Sequence, residues 1–350
     1  MLEAKETRIP ELVLAAYNLL GDVQIKQINS GLINASWLVV NHGQRLVLQR
    51  LNDMFSPAVN QKIERVTEFL QQQGMCTTTL LRTRSDSLQV MDAHNHCWRA
   101  LSYVEGETNL SLSNSQQAAG AGRVLARFHQ EMSTFSGQDE LPISTVHNLR
   151  KHQDALEAAL QDQRDHENFG QVATVAEAIL GELGGLPSMV DFPLMPIHGD
   201  PKISNFLFDE DDNAIALIDL DTIGRGHLID ELGDAFRSWC NPRGEDTVDT
   251  VFDLNLFEEG LRGYVEAIAD PGILDQLRQV SLATESISLE LASRFCADAL
   301  NESYFAWDKT KYASASEHQL VRAKGQYHLA QAIRGERASI DSIVSNLVGS

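Results

Sequence analysis

The chain has 350 residues, more than one ordinary core accommodates and enough for two lobes. It is 43% hydrophobic and 22% charged, the composition of a soluble globular protein. Asp and Glu outnumber Lys and Arg by 49 to 28, and the formal net charge of −21 argues against nucleic acid or an anionic membrane as the main partner, since phosphates need Lys and Arg to neutralise them.

That balance still permits a local anion site built around a divalent cation. The four cysteines, Cys76, Cys97, Cys240 and Cys296, are scattered without CxxC spacing. They read as reduced thiols, not as a disulfide framework or a zinc site. The first twenty residues are broken by charges and lack a signal-peptide pattern. No apolar run approaches the ~18 residues of a membrane span. A cytoplasmic protein is expected.

In chain order, residues 10–20 read as a short opening helix. A Gly turn at 30–31, a strand over 36–40, a tight turn at 41–43 and a strand over 45–51 follow. After Pro57, apolar residues at Val59, Ile63, Val66 and Leu70 mark an amphipathic helix that Gly74 stops. LQVMDAHNHCWRALSYV, 88–104, reads as another hairpin. HNHC within it lacks a second ligand cluster and is read as a solvated loop. From about Ser113 the pattern turns helical, with Ala118, Ala121, Leu125, Phe128 and Met132 on one face. Helical patterns then dominate, except around 198–221. The expected division is a small, mainly antiparallel β lobe over 1–103 carrying one main helix, and a larger, mostly helical lobe over 104–350. The short linker suggests two lobes packed around a cleft.

The chemistry concentrates in HGDPKISNFLFDEDDNAIALIDLDT, 198–222. Two apolar runs, 206–208 and 214–218, flank the turn DEDDN and make a hairpin. DEDDN lacks the spacing and closing Glu of a calcium loop and is expected to face solvent. The ends of antiparallel strands lie side by side. Asn205 and Asp219 would therefore meet and offer hard oxygen ligands to Mg2+. Asp200 would orient an attacking hydroxyl and accept its proton, and Lys202 would reach the γ-phosphate.

The order Asp-x-Lys-x-x-Asn, strand, turn, strand, Asp resembles the catalytic loop and metal-binding Asp of protein kinases. HGDxxxxN followed by LIDLDT is closer still to the aminoglycoside phosphotransferase and choline kinase superfamily. The resemblance runs over nearly the whole chain. It implies a two-lobe, protein-kinase-like α+β fold using ATP and Mg2+. SGLINASW, 30–37, stands where that family covers the phosphates, so Ser30, Gly31, Asn34 and Ser36 are candidates there. The next strand should carry a cation. RLVLQRLN offers Gln49 and Arg50 but no Lys, and Arg50 is the choice. Its partner on the following helix would be Glu64 or Asn60 in place of the family's Glu. LSYVEG, with Ser102, Tyr103 and Val104, resembles the hinge whose backbone holds the nucleobase. GRVLARFHQEM and HLIDELGDAFRS resemble family helices, with Asp234 expected to support the catalytic loop or to cap its helix. His129 and His328 lie in helical patterns and read as core or surface residues.

Within the superfamily, SGLINASW with VLQRLN, DPKISNFLF with LIDLDT, and the tail with Arg294, Phe295, Asp298, Tyr304, Phe305 and His318 resemble the N-acetylhexosamine 1-kinase branch. That implies a sugar hydroxyl as acceptor, with Asp221, His147, Arg237 and Arg294 as candidate acceptor contacts and Asp221 alternatively a member of the metal shell. Two rivals stand beside it. One is an aminoglycoside, choline or amino-alcohol acceptor, drawn by the acidic protein. The other is a nucleotide-binding module without turnover, suggested by the missing Lys–Glu pair.

Overall fold

The computed structural model describes residues 9–28, 34–187 and 192–349. The chain divides into two compact units, Met1–Glu105 and Gly106–Ser350. The expected mixed fold is present: an antiparallel sheet with one main helix in the first unit, helices in the second.

The first unit runs α1 (Glu11–Ala16), β1 (Val23–Ile28), β2 (Ala35–Asn41), β3 (Gln44–Arg50), α2 (Val59–Gln72), β4 (Leu80–Leu81), β5 (Val90–Met91) and β6 (Cys97–Ser102). Its sheet order is β1-β2-β3-β6-β4, with β5 also paired to β6. The β2–β3 hairpin turns at His42 and Gly43, both with positive φ, the mirror-type turn that matches strand twist. Because side chains alternate across a strand, each face has its own character. Trp37, Leu48, Trp98 and Ala100 share one face with α1 residue Val13, and the two indoles stack 5.2 Å apart. Ser36, Gln49 and Arg99 lie opposite one another across β2, β3 and β6, on the other face. There α2 packs, with Ile63, Val66 and Leu70 buried.

The second unit contains β7 (Glu107–Thr108), α3 (Ser115–Met132), α4 (Leu149–Asp162), α5 (Phe169–Gly184), β8 (Met195–Ile197), β9 (Phe206–Phe208), β10 (Ala214–Leu217), β11 (Gly224–Gly226), α6 (Leu228–Trp239), α7 (Leu254–Ala267), α8 (Pro271–Gln276), α9 (Val280–Asn301), α10 (Ala315–Gly335) and α11 (Arg337–Val348). Helix α9 is the axis of this unit. It is buried nearly all round, and Leu289, Phe295 and Leu300 join Leu156 of α4, Val172 and Ile179 of α5 and Ala330 of α10 in one core. Truncating such a residue costs roughly 2–5 kcal/mol. Helices α3 and α7 touch backbone to backbone: a Cβ on Gly122 would lie 2.0 Å from the Gly260 carbonyl oxygen.

Small sheets punctuate the helices. Strands β10, β9 and β7 form one, and β11 pairs with β8 in another. The DEDDN turn is solvent-facing as expected, with Glu210, Asp211 and Asn213 exposed, and it is also tethered. Asp212 accepts hydrogen bonds from Asn114 Nδ2 at 2.8 Å and Gln117 Nε2 at 2.6 Å, which ties the turn to the start of α3. The physical reason is the side-chain amides at that helix start, which reach the turn's carboxylates. Among the described residues no helix is long and apolar enough to cross a membrane.

Candidate active site

Loop 198–205 joins β8 to β9, and its backbone is held mainly by α6. The apolar stripe of that helix, Leu228, Leu232, Ala235 and Trp239, turns inward and carries Glu231 with it, at 0% exposure. Glu231 accepts hydrogen bonds from the backbone N–H of His198 at 2.7 Å and of Gly199 at 2.8 Å. The His129 ring stands 3.2 Å from the same carboxylate and 2.8 Å from the Tyr264 hydroxyl. Burial would raise the Glu231 pKa, but the His129 hydrogen bond, nearby histidines and the backbone donor outweigh it, so it stays below its ordinary value. Trp239 Nε1 donates to the Pro201 carbonyl at 2.9 Å, and the Ile203 N–H donates to Ser238 Oγ at 3.1 Å. Thr222 Oγ1 donates to the His198 carbonyl at 2.9 Å. Gly199 sits at φ +85°, where a Cβ would lie 2.6 Å from the Thr222 carbonyl oxygen.

Glu231, not Asp234, therefore supports the loop. Asp234 is in mid-helix, where it neither caps α6 nor touches the loop backbone, and it pairs with Arg237 instead. Two acids three residues apart both lie on buried faces here. The signal that separates them is the apolar stripe, which contains Glu231 itself. His129, read as a core or surface residue, is a buried member of the same support.

On this scaffold Asp200 meets Lys202 Nζ at 2.5 Å. Asn205 Nδ2 donates to the Asp200 carbonyl at 2.7 Å and lies 3.3 Å from its carboxylate. The Asp200 side chain keeps 22% exposure, so it is reachable. Burial raises its pKa, yet Lys202, His198 and Arg237 together hold it below the ordinary carboxylate range. Lys202 is likewise desolvated, but Asp200 and Asp219 hold its proton more firmly than usual. The pair is a fixed carboxylate–ammonium couple at neutral pH.

Asn205 and Asp219 meet through the hairpin: the Ile218 N–H donates to the Asn205 carbonyl at 2.9 Å, which sets Asp219 one step beyond. Asp219 takes a left-handed conformation, φ 66° and ψ 63°, which Asp tolerates better than most residues. Asn205 uses its amide nitrogen on Asp200, and that turns Oδ1 away from it. One carboxylate and one amide oxygen form a hard donor set that fits Mg2+ or Ca2+.

Around this centre, Arg237 donates to Asp234 Oδ1 through Nε at 2.9 Å and Nη2 at 2.7 Å, and to Glu245 through Nη1 at 2.5 Å. His147 Nδ1 lies 3.3 Å from Glu290 on α9. Asp221 is 5% exposed, on the turn after Asp219. Arg294, one turn after Glu290 on α9, lies over the rings of Tyr304 and Phe305 at 5.8 and 5.6 Å.

In the first unit, Ser30 and Gly31 lie outside the described residues. Asn34 Oδ1 accepts from the Asn52 N–H at 2.9 Å. Ser36 Oγ accepts from Gln49 Nε2 at 3.1 Å. Strand alternation sets Arg50 on the face of Trp98 and Ala35, away from Ser36 and α2. Arg99, 2% exposed, is a buried cation on the α2 face; it donates to Gln49 Oε1 at 2.9 and 2.7 Å and to Asn60 Oδ1 at 3.1 Å. Nothing in the spacing of RLVLQRLN points to a residue fifty positions away. Ser102 uses its hydroxyl and its amide on Thr79, whereas Tyr103 and Val104 carry no backbone hydrogen bond among the described residues.

Many solved structures share the fold, among them these three. A microcompartment-associated aminopropanol kinase matches with TM-score 0.61 and 17% identity, over 95% of this chain and 98% of that one. A choline/ethanolamine kinase family protein from Mesorhizobium loti matches with TM-score 0.60 and 18% identity, over 95% and 97%. An amicoumacin kinase, solved with AMP-PNP, Ca2+ and Ami, matches with TM-score 0.60 and 14% identity, over 91% of each chain. Residues 24–266 match the model of the phosphotransferase enzyme family, whose span takes in the sheet of the first unit, loop 198–205 and helix α6. The chain belongs to that family, and it is a small-molecule phosphotransferase acting on hydroxyl groups.

Proposed function

We propose that the chain transfers the γ-phosphoryl group of ATP, with Mg2+ bound, to a hydroxyl of a sugar such as an N-acetylhexosamine. The observation that carries this reading is loop 198–205, where Lys202 and Asn205 both stand within hydrogen-bonding distance of Asp200 on a backbone clamped by Glu231. A divalent cation held by Asn205 and Asp219 would supply positive charge to the phosphate oxygens.

Asp200 accepts a hydrogen bond from the acceptor hydroxyl, aims that oxygen's lone pair at phosphorus and takes the proton as the new P–O bond forms and the bond from the γ-phosphorus to the ADP oxygen breaks. A carboxylate held below its ordinary pKa is a weak base. That suits a loose transition state, in which positioning outweighs early proton removal. Lys202, the second charge of the couple, neutralises the transferred group.

In this reading the first unit takes the nucleotide. Asn34 and Ser36 would offer polar contacts to the phosphates. The unpaired backbone at Tyr103 and Val104 suits a nucleobase edge. Arg99, oriented by Gln49 and Asn60, supplies the cation expected of Arg50. The second unit carries catalysis and the acceptor, with Asp221, His147 and Arg237 around it and Arg294 at its margin. The setting is cytoplasmic, where ATP is available.

An amino-alcohol acceptor is the second reading, favoured by the aminopropanol and choline/ethanolamine names among the solved structures and by the net charge of −21. One experiment tests both: MgATP and a panel of neutral sugars, amino alcohols and aminoglycosides, read by mass spectrometry for the gain of one phosphate. Binding of MgATP without transfer to any member would support a non-catalytic nucleotide module instead.

A further inference from the structure

We propose that the cavity between helix α2 and segment 82–89 is an effector site for a small zwitterion, a molecule carrying an ammonium and a carboxylate or phosphate, and that filling it weakens MgATP binding through Asn60 and Arg99. The site lies beyond the phosphotransferase reading. Its coupling to the nucleotide rests on Arg99 as the phosphate cation of that reading.

The cavity measures about 730 Å³ and lies wholly within the first unit. That is the volume of a small-molecule site. Its wall carries both signs of charge: Glu64 and Arg65 on α2, Arg82 and Asp86 on the facing segment, with Leu88 as an apolar side. Arg82 spans the gap. Its Nη2 meets the Glu64 carboxylate at 2.6 Å, and its Nη1 donates to the Asp86 carbonyl at 2.8 Å. The Asp86 carboxylate stands farther off, 3.5 Å from Nη1, with 85% of that side chain and 45% of Arg82 exposed. Such an exposed pair is worth about 0–1 kcal/mol, so a ligand that offers each member a new partner displaces it at little cost.

Charge selects the ligand. The first unit holds ten acidic and ten basic residues, so the net −21 belongs to the second. The first unit's net charge therefore favours neither sign, and the local groups decide. A simple anion meets Arg82 but is repelled by Glu64 and Asp86. A simple cation meets those acids but is repelled by Arg82 and Arg65. A zwitterion sets its anionic end on the planar fork of Arg82 and its ammonium on Asp86. The 3.5 Å between those two side chains is comparable with the separation of the two poles of an α-amino acid.

A chain of side-chain hydrogen bonds leads from this wall to the nucleotide side of the sheet. Gln89 lines the cavity and accepts from Asn60 Nδ2 at 2.5 Å. That contact turns Asn60 Oδ1 toward Arg99 Nη1, 3.1 Å away. Arg99 continues to Gln49, and Gln49 to Ser36. An ammonium in the cavity competes with Asn60 for Gln89 Oε1, since it is a donor only. Asn60 then loses the contact that orients its amide, and Arg99 loses one of its acceptors and with it a fixed position toward the phosphates.

The test is isothermal titration of the full chain with the twenty amino acids and O-phosphoethanolamine. The single-charge analogues of the tightest ligand follow: the N-acetyl and amide forms of an amino acid, or ethanolamine and inorganic phosphate. At least one zwitterion should bind, with the analogues about 10-fold weaker or more. At saturation it should raise the Kd for MgATP at least about threefold, and MgATP should raise the Kd of the zwitterion by the same factor, as linkage demands. Asp86→Asn and Arg82→Gln should each lose about 10-fold or more in zwitterion affinity. Their MgATP affinity should be unchanged, which also verifies folding. In Arg99→Met the zwitterion should still bind and no longer alter the Kd for MgATP. Four results each overturn the effector site and leave phosphoryl transfer standing: no binding of any zwitterion, equal binding of the single-charge analogues, full affinity in both folded charge variants, or unaltered MgATP affinity at saturation. Transfer to no acceptor, with the linkage between zwitterion and MgATP present, overturns the phosphotransferase reading alone.

Discussion

Replacing Glu231 by Gln isolates what the loop support is worth. The carboxylate accepts from two backbone N–H groups, of His198 and Gly199, and faces His129; Glu231, His129 and His198 are all at 0% exposure. Glutamine keeps one acceptor oxygen and sets an NH2 group against one of those donors. The loss is one charge-assisted hydrogen bond plus an unsatisfied buried donor, about 3 kcal/mol. At ~2–4 °C per kcal/mol for a unit of this size, the melting temperature should fall by roughly 6–12 °C. The loop also carries Asp200, so a small displacement should lower kcat at least ~100-fold. KM for MgATP should change by less than about threefold. Differential scanning calorimetry and steady-state kinetics at saturating acceptor give both numbers. There is an acid-limb corollary. Glu231 is held below its ordinary pKa, so its contribution is present above the unfolded value and is lost as pH falls through the folded one. The variant should therefore lose less stability than wild type on acidification below ~pH 4.5. A Glu231→Gln protein with wild-type melting temperature and kcat would show that α6 does not hold the loop.

Asp200→Ala should lower kcat by ~10³-fold while MgATP affinity stays within about threefold, measured by calorimetry. Gly199→Ala combines a positive φ with a Cβ 2.6 Å from a carbonyl oxygen, and should cost more than ~2 kcal/mol in denaturant unfolding and abolish turnover. Arg99→Met should raise KM for MgATP ~10-fold or more, whereas Arg50→Met, on the opposite face of the sheet, should change it by less than about threefold; the reverse order would restore the original choice of Arg50. His147 has its pKa raised to about 9, so its stabilising share is complete below the unfolded value of ~6.5 and is lost as pH rises through 9. Unfolding free energy should drop by at most about 3 kcal/mol across that window, and His147→Gln should flatten the drop.

Apolar spacing located α2 and α3, because apolar side chains must repeat at 3.6 residues to reach one core, and turn residues between short apolar runs located the β2–β3 and β9–β10 hairpins. Loop 198–205 was legible for a similar reason: Asp200, Lys202 and Asn205 are neighbours in the chain, and their spacing carries their geometry. Asp219 was legible through hairpin pairing. Arg99 was hidden, since it reaches Gln49 and Asn60 only through strand pairing and helix packing fifty and thirty-nine positions away. The Asp92 carboxylate was overlooked at the HNHC turn, where it accepts from the His94 and His96 N–H groups and from Trp98 Nε1.

The amino-acid sequence by itself determined the elements and the local catalytic loop, for which short-range spacing is sufficient. Tertiary structure decided which carboxylate holds that loop, which arginine shares a sheet face with Ser36, and which histidine meets Glu290. Those choices depend on the rotation of α6, the pairing of β3 with β6, and the passage of α9 beside residue 147. A buried charge is placed by the packing of whole elements around it, and that information is spread over distant parts of the chain.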